Sequence, residues 1–129
     1  MKNTAFLIFF IFIVIGCDPI YNTTFNIKNN TNDTISLFFY SNDSITLEKK
    51  IAPSNSYLLL QDKGMAGSPT KISLASDDSI LVYKKEKIIK FYRDSTSMND
   101  IYVPSNWSEV RLKKYNYEYT YSFSENDFK

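Results

Sequence analysis

From Thr24 onward the chain is written in twos. Phe25 and Ile27 alternate with Thr24, Asn26 and Lys28, and Ile35, Leu37 and Phe39 alternate with Ser36, Phe38 and Tyr40. Successive side chains of a strand point to opposite faces, so a period of two predicts a half-buried strand at each place. Between them Asn29-Asn30-Thr31-Asn32-Asp33 is turn chemistry, because Asn and Asp tolerate left-handed backbone and hydrogen-bond to their own chain. Ser41-Asn42-Asp43 turns the chain again, and Ile45 and Leu47 open a third short strand. Ile51 to Ser56 reads as a connection, since Pro53 has no amide to give to a central ladder. Tyr57 to Gln61 is strand-like. Residues 62–70, with Gly64, Gly67 and Pro69, form the longest evident loop, either a plain crossover or a functional loop on a rigid scaffold.

The second half repeats the pattern. Ile80 to Tyr92 folds as a hairpin: pairing Tyr83 with Ile88 sets Val82 opposite Ile89 and Ile80 opposite Phe91, all four on one face. Lys84-Lys85-Glu86-Lys87 then reads as a solvated loop, longer than a tight primed turn because it lacks Asn-Gly. Ile101-Tyr102-Val103 is a candidate short strand ended by Pro104, and Ser105 to Glu109 a turn or single helical turn. Tyr115, Tyr117, Tyr119, Tyr121 and Phe123 occupy every odd position of the last strand, with Asn116, Glu118, Thr120 and Ser122 between them. One face is aromatic and the other wet. Ser124 and Asp127 have the spacing of a capping box for a final helical turn. About eight strands, with turns every 8–12 residues and no amphipathic helix, predict an all-β domain. The expected form is a two-layer antiparallel β-sandwich, immunoglobulin-like rather than a barrel.

The first residues are of another kind. Lys2 precedes eleven apolar residues from Ala5 to Ile15, then Gly16 and the chain's one cysteine, Cys17. A charged start, an apolar run and a small residue at the cut make an export signal. The run is shorter than the roughly 20 residues a membrane-crossing helix needs. Val14-Ile15-Gly16-Cys17 resembles the lipobox of bacterial lipoproteins. That resemblance implies that residues 1–16 are a cleaved signal peptide. It also implies that Cys17 carries a diacylglycerol and an N-acyl chain; the strand pattern then makes residues 17–22 a tether and 23–129 one domain. Two or more acyl chains anchor stably, at about 0.8 kcal/mol per buried CH₂. The expected place is the bacterial cell envelope, the outer membrane ahead of the inner. Asp18 after the cysteine resembles the inner-membrane retention signal of enteric-type lipoproteins, a signal that other Gram-negative lineages do not read. Surface or periplasmic orientation stays open. The ending Tyr-Thr-Tyr-Ser-Phe-Ser-Glu-Asn-Asp-Phe is similar to the close of uncharacterised small lipoproteins of Gram-negative bacteria.

Composition narrows the chemistry. The 113 residues from Cys17 onward suffice for one domain. They carry 14 basic and 14 acidic residues, a net charge of zero with scattered lysines, which gives no nucleic-acid surface. There is no histidine, and a lipidated Cys17 leaves no free thiol. The usual general base, metal ligands and cysteine nucleophile are therefore missing together, and no catalytic residue, metal or cofactor is assigned.

The remaining candidates concern binding and modification. Exposed tyrosine rows bind partners and stack on sugars, but this row lies on the only face of its strand that can supply core. Trp107, among polar residues after Pro104, is a better ligand candidate than any one tyrosine, with a rim or plug role as its competitor. An exposed aromatic patch at Trp107 or Tyr102 would mark a recognition surface. Asp33-Thr34-Ile35, Asp43-Ser44-Ile45, Asp78-Ser79-Ile80 and Asp94-Ser95-Thr96 resemble an O-glycosylation tripeptide that one large group of Gram-negative bacteria uses on exported proteins. Thr34, Ser44, Ser79 and Ser95 are the candidate acceptors, and Asx-turns opening strands are the competing account. Asp77-Asp78, with Asp62 near, is a paired-carboxylate candidate or simply an exposed turn. The expectation is a lipid-anchored, non-catalytic binding or adhesion module for a glycan or protein. The alternative is a periplasmic interaction protein: an inhibitor, an immunity factor or an accessory subunit of an envelope complex.

Overall fold

The computed structural model describes residues 20–65, 77–94 and 99–129. The leader with Cys17, residues 66–70 of the expected loop, and Ser95 lie outside the described residues. Eight strands form two layers: β1 (Ile20–Asn29), β2 (Ile35–Ser41), β3 (Ser44–Ile51), β4 (Ser56–Met65), β5 (Ser79–Lys84), β6 (Lys87–Tyr92), β7 (Ser108–Lys113) and β8 (Asn116–Phe123). Sheet A runs β4-β1-β8-β7 and sheet B runs β3-β2-β5-β6. The all-β two-layer sandwich shares the layering of immunoglobulin-like domains, with this strand order. Five pairings are antiparallel and one, β1 with β8, is parallel.

The alternation puts one phase of each central strand between the layers. Phe25 and Ile27 of β1, Leu37 and Phe39 of β2, Ile80 and Val82 of β5, Phe91 of β6, and Tyr121 and Phe123 of β8 are each at most 6% exposed. Full burial of one such side chain contributes about 1.5–3 kcal/mol. The aromatic row of β8 is core at its C-terminal end only. Tyr119 packs at the margin and stacks on Phe25 with ring centroids 5.2 Å apart. Tyr117 and Tyr115 lie half-buried under Arg111 and Lys114.

The connections define two poles. β1 starts beside the end of β4 and the start of β8, and the chain then crosses at the far end of the sandwich into β2. The near pole, where β1 begins, therefore also holds the β2–β3 turn and the start of β5. At the far pole Asn29, fully buried, ties the loops together. Its Nδ2 donates to Asp33 O and Ile51 O, both at 2.8 Å, and its Oδ1 accepts from Thr31 N at 2.9 Å and Thr31 Oγ1 at 2.8 Å. Glu125–Phe128 is a 3-10 turn in which Asp127 Oδ2 accepts from Ser124 N at 2.6 Å, the expected capping box.

The expected hairpin register holds, with Ile80 opposite Phe91, Val82 opposite Ile89 and Tyr83 opposite Ile88. Several local expectations need correction. Lys84 pairs with Lys87, so the turn is a tight two-residue one, with Lys85 taking the left-handed conformation (φ 54°) usually given to glycine or asparagine. Residues 62–65 are strand rather than loop, because β4 follows β1 to Ile20. Gly64 there lies under the Tyr21 ring, which a Cβ would displace. The same pairing makes Ile20–Asn22 strand rather than tether. Ile101-Tyr102-Val103 is a turn, not a strand, and the eighth strand is instead β7, an edge strand of exposed side chains.

Candidate functional site

Three strands of sheet B are apolar on both phases, and this builds a surface. With Ile35, Leu37 and Phe39 pointing inward, β2 turns Ser36, Phe38 and Tyr40 outward. In the same way β5 turns out Ser79, Leu81 and Tyr83, and β6 turns out Ile88, Lys90 and Tyr92. The register sets them in three rows across the sheet. The row nearest the far pole is Lys50, Ser36, Tyr83, Ile88. The middle row is Glu48, Phe38, Leu81, Lys90. The row nearest the near pole is Ile45, Tyr40, Ser79, Tyr92. Phe38 and Tyr83 meet edge to face, centroids 5.3 Å apart. Ile45, Ile88 and Tyr92 are each more than half exposed, at 55, 52 and 53%. The charges of these rows, Glu48, Lys50 and Lys90, stand on the edge strands β3 and β6, which blunts the edges against unwanted pairing. The centre of the face carries rings and aliphatic chains.

Two shallow depressions open on this face. One is lined by Phe38, Tyr40, Tyr83 and Ile45, with Glu48 and Lys50 at its side. The other, about 460 Å³, is lined by Tyr40, Ser79, Leu81 and Tyr92, with Asn42, Asp43, Asp78 and Lys90 around it. A contiguous apolar patch with a polar margin is the physical form of an interaction surface.

A larger groove of about 730 Å³ at the far pole has a different character. Lys84, buried on the inner phase of β5, is paired with Glu125, and its ammonium lies 5.4 Å from the centroid of the Phe128 ring. Lys85 pairs with Asp33 at 2.9 Å. The Asn32 amide and Lys84 hold the Glu125 carboxyl below its ordinary range, and the hydrogen bond to Asp33 raises Lys85. These charges are spent on one another and fasten the turn after β8 to the hairpin. Lys84 is thus a buried clamp rather than a solvated turn residue.

The other candidates separate. Trp107 is 5% exposed; its Nε1 donates to Ile101 O at 2.7 Å and its ring packs on Phe25 and Tyr121. Of the two readings open for it, the structure gives the buried plug, with almost no surface left for a ligand. Tyr102 is half-buried, donates to Asp77 O at 3.2 Å, and is raised in pKa chiefly by burial. It forms no exposed patch with Trp107. Thr34 is exposed just before β2 and Ser44 is exposed as the first residue of β3, whereas Ser79 is half-buried as the first residue of β5, between Tyr40 and Tyr92. The carboxylates of Asp77 and Asp78 do not converge: Thr46 Oγ1 donates to Asp77 at 2.9 Å, while Asn42 N donates to Asp78 at 2.8 Å and Arg93 lies 3.5 Å from it. Asp62 is on β4 in the other sheet, beneath the Tyr21 hydroxyl. Among the described residues no group of three or more acidic, His or Cys side chains is placed to hold a metal ion.

The outward aromatic face is what the sequence reasoning missed. Its signal was present: Phe38, Tyr40, Leu81, Tyr83, Ile88 and Tyr92 stand on the phase that a one-sided sheet gives to polar residues. No family model matches the chain, and no curated protein or solved structure does either.

Proposed function

We propose that this chain is a lipid-anchored lipoprotein of the bacterial cell envelope whose β-sandwich works by binding, without catalysis, through the outer face of sheet B. The observation that carries the reading is the set of outward rings on that face, Phe38, Tyr40, Tyr83 and Tyr92, spread over three neighbouring strands and its three rows. Anchored side chains of this kind supply large contact area at little entropic cost. The lipobox residues Val14 to Cys17 support the anchor, and the lack of histidine supports a role without general-base chemistry. Anchoring predicts that Cys17→Ala loses incorporated fatty acid and leaves the membrane fraction; a variant that stays membrane-bound and uncut would make the leader an uncleaved anchor.

The binding face is tested by site-specific photo-crosslinking in cells. A benzophenone side chain at Tyr83 or Tyr92 is expected to give discrete adducts, while the same group at Thr120 or Ser122, on the outer face of sheet A, gives none. Equal yields from both faces would remove the reading. One observation favours the alternative of a periplasmic interaction protein: β7 is an edge strand with Val110 and Leu112 52 and 59% exposed, open to strand addition by a partner. Adducts from Val110 alone would select it.

A further inference from the structure

We propose that the depression between Tyr40 and Tyr92 is a saccharide subsite that seats one pyranose ring. The proposal rests on the reading of sheet B's outer face as the binding surface and names its ligand class. Tyr40, Ser79 and Tyr92 form one row over β2, β5 and β6. Neighbouring strands lie about 4.8 Å apart, so the two tyrosines are rooted about 9.6 Å apart with only a serine between them. A ring stacked on both walls at the optimal carbon separation of about 3.5–4.0 Å needs walls about 7–8 Å apart. The strand positions of the two tyrosines therefore leave room between them for one flat ring. Its volume of about 460 Å³ is that of a small-molecule site.

The chemistry of the walls and rim differs, as a sugar requires. A pyranose shows C–H faces and a girdle of hydroxyls. The tyrosine rings and Leu81 suit the faces. Around the rim, Asp43 and Asp78 offer acceptors and Lys90 a donor. The rim is held in place: Asn42 and Asp43 take left-handed backbone (φ 49° and 60°) in a tight turn, and Asn42 N donates to Asp78 Oδ2 at 2.8 Å. A flat protein epitope would meet a polar gap where Ser79 interrupts the two rings. Nucleic acid would set its phosphates against Asp43 and Asp78.

The test is saturation-transfer NMR on the full-length chain in micelles of a sugar-free detergent. The probes are the methyl glycosides of glucose, galactose, mannose, N-acetylglucosamine, fucose and rhamnose, taken singly. At least one is expected to receive saturation on its ring C–H protons. Tyr92→Ala and the notch-filling Ser79→Phe are each expected to weaken that transfer roughly tenfold, as loss of a stacking wall implies. Circular dichroism of both variants should match the parent, which separates a lost site from a lost fold. No transfer from any probe, or equal transfer in the variants, overturns the proposal. If either occurs while crosslinks from Tyr83 and Tyr92 persist, the binding face stands and the saccharide does not.

Discussion

On the outer face of sheet A the two central strands show Asn22, Thr24, Asn26 and Lys28 beside Asn116, Glu118, Thr120 and Ser122. On sheet B the central strands show Phe38 and Tyr40 beside Leu81 and Tyr83. The inner faces of the two sheets are alike, both aliphatic and aromatic and both closed on the same core. Amides, hydroxyls and single charges are what an antiparallel layer facing water requires. The two central strands of sheet A meet that requirement, with the exposed Leu58, Leu60 and Val110 standing on its edge strands β4 and β7, whereas sheet B departs from it over its centre. Burial of the core does not explain the departure, because the inner phase of β2 and β5 already supplies that core. The outward rings lie outside that core, and the proposed binding is therefore assigned to them.

The largest expected effect comes from two adjacent phenylalanines on opposite phases of β2. Phe39→Ala, at a position 1% exposed, should cost about 3–5 kcal/mol in urea unfolding. Phe38→Ala should cost about 1 kcal/mol, the edge-to-face contact with Tyr83. Similar costs would mean that the outer face is part of the folding core. A smaller contrast separates two tyrosine hydroxyls. Tyr121 Oη, on a buried ring, donates to Asn99 O at 2.6 Å at the edge of the sandwich, so Tyr121→Phe should cost about 0.5–1.5 kcal/mol. Tyr92→Phe, at a site 53% exposed, should stay within about 0.5 kcal/mol.

The smallest effect lies at the far pole and depends on pH. Glu125 is held below its ordinary value of 4.5 by the Asn32 amide and Lys84. A lowered carboxyl contributes stability that is present above that value and lost as the pH falls through the folded one. Thermal midpoints should therefore fall as the pH is taken from 6 to 3, and Glu125→Gln should flatten part of that fall. A Glu125→Gln variant with the parent's full acid slope would take Glu125 out of the clamp.

Periodicity made much of the sandwich legible: β1, β2, the β5–β6 hairpin and β8 all announce their inner phase. Legibility stopped where tertiary partners decide. β7 has no alternation for a core to impose, because both of its phases are exposed, so Ser108–Lys113 went unread while Ile101–Val103 resembled a strand. Lys85 adopts a positive φ that no turn-forming residue advertised. Trp107 sits among polar neighbours in sequence, yet the 3-10 turn Pro104–Asn106 swings it onto Phe25 and Tyr121. For the binding face, the decisive residues were visible as apolar letters on the polar phase. Only the register that sets Tyr40, Ser79 and Tyr92 in one row turns those letters into a site.

The most direct measurement is tyrosine footprinting of intact cells against the purified full-length chain. It uses N-acetylimidazole, which acylates accessible phenols, and reads each position by mass spectrometry. The account predicts that Tyr92 and Tyr40 are acylated in the purified chain and protected in cells, while Tyr121 stays unmodified in both. Equal acylation of Tyr92 and Tyr40 in cells and in isolation would show the face uncovered where the protein works, and would contradict the claim that it binds through the outer face of sheet B.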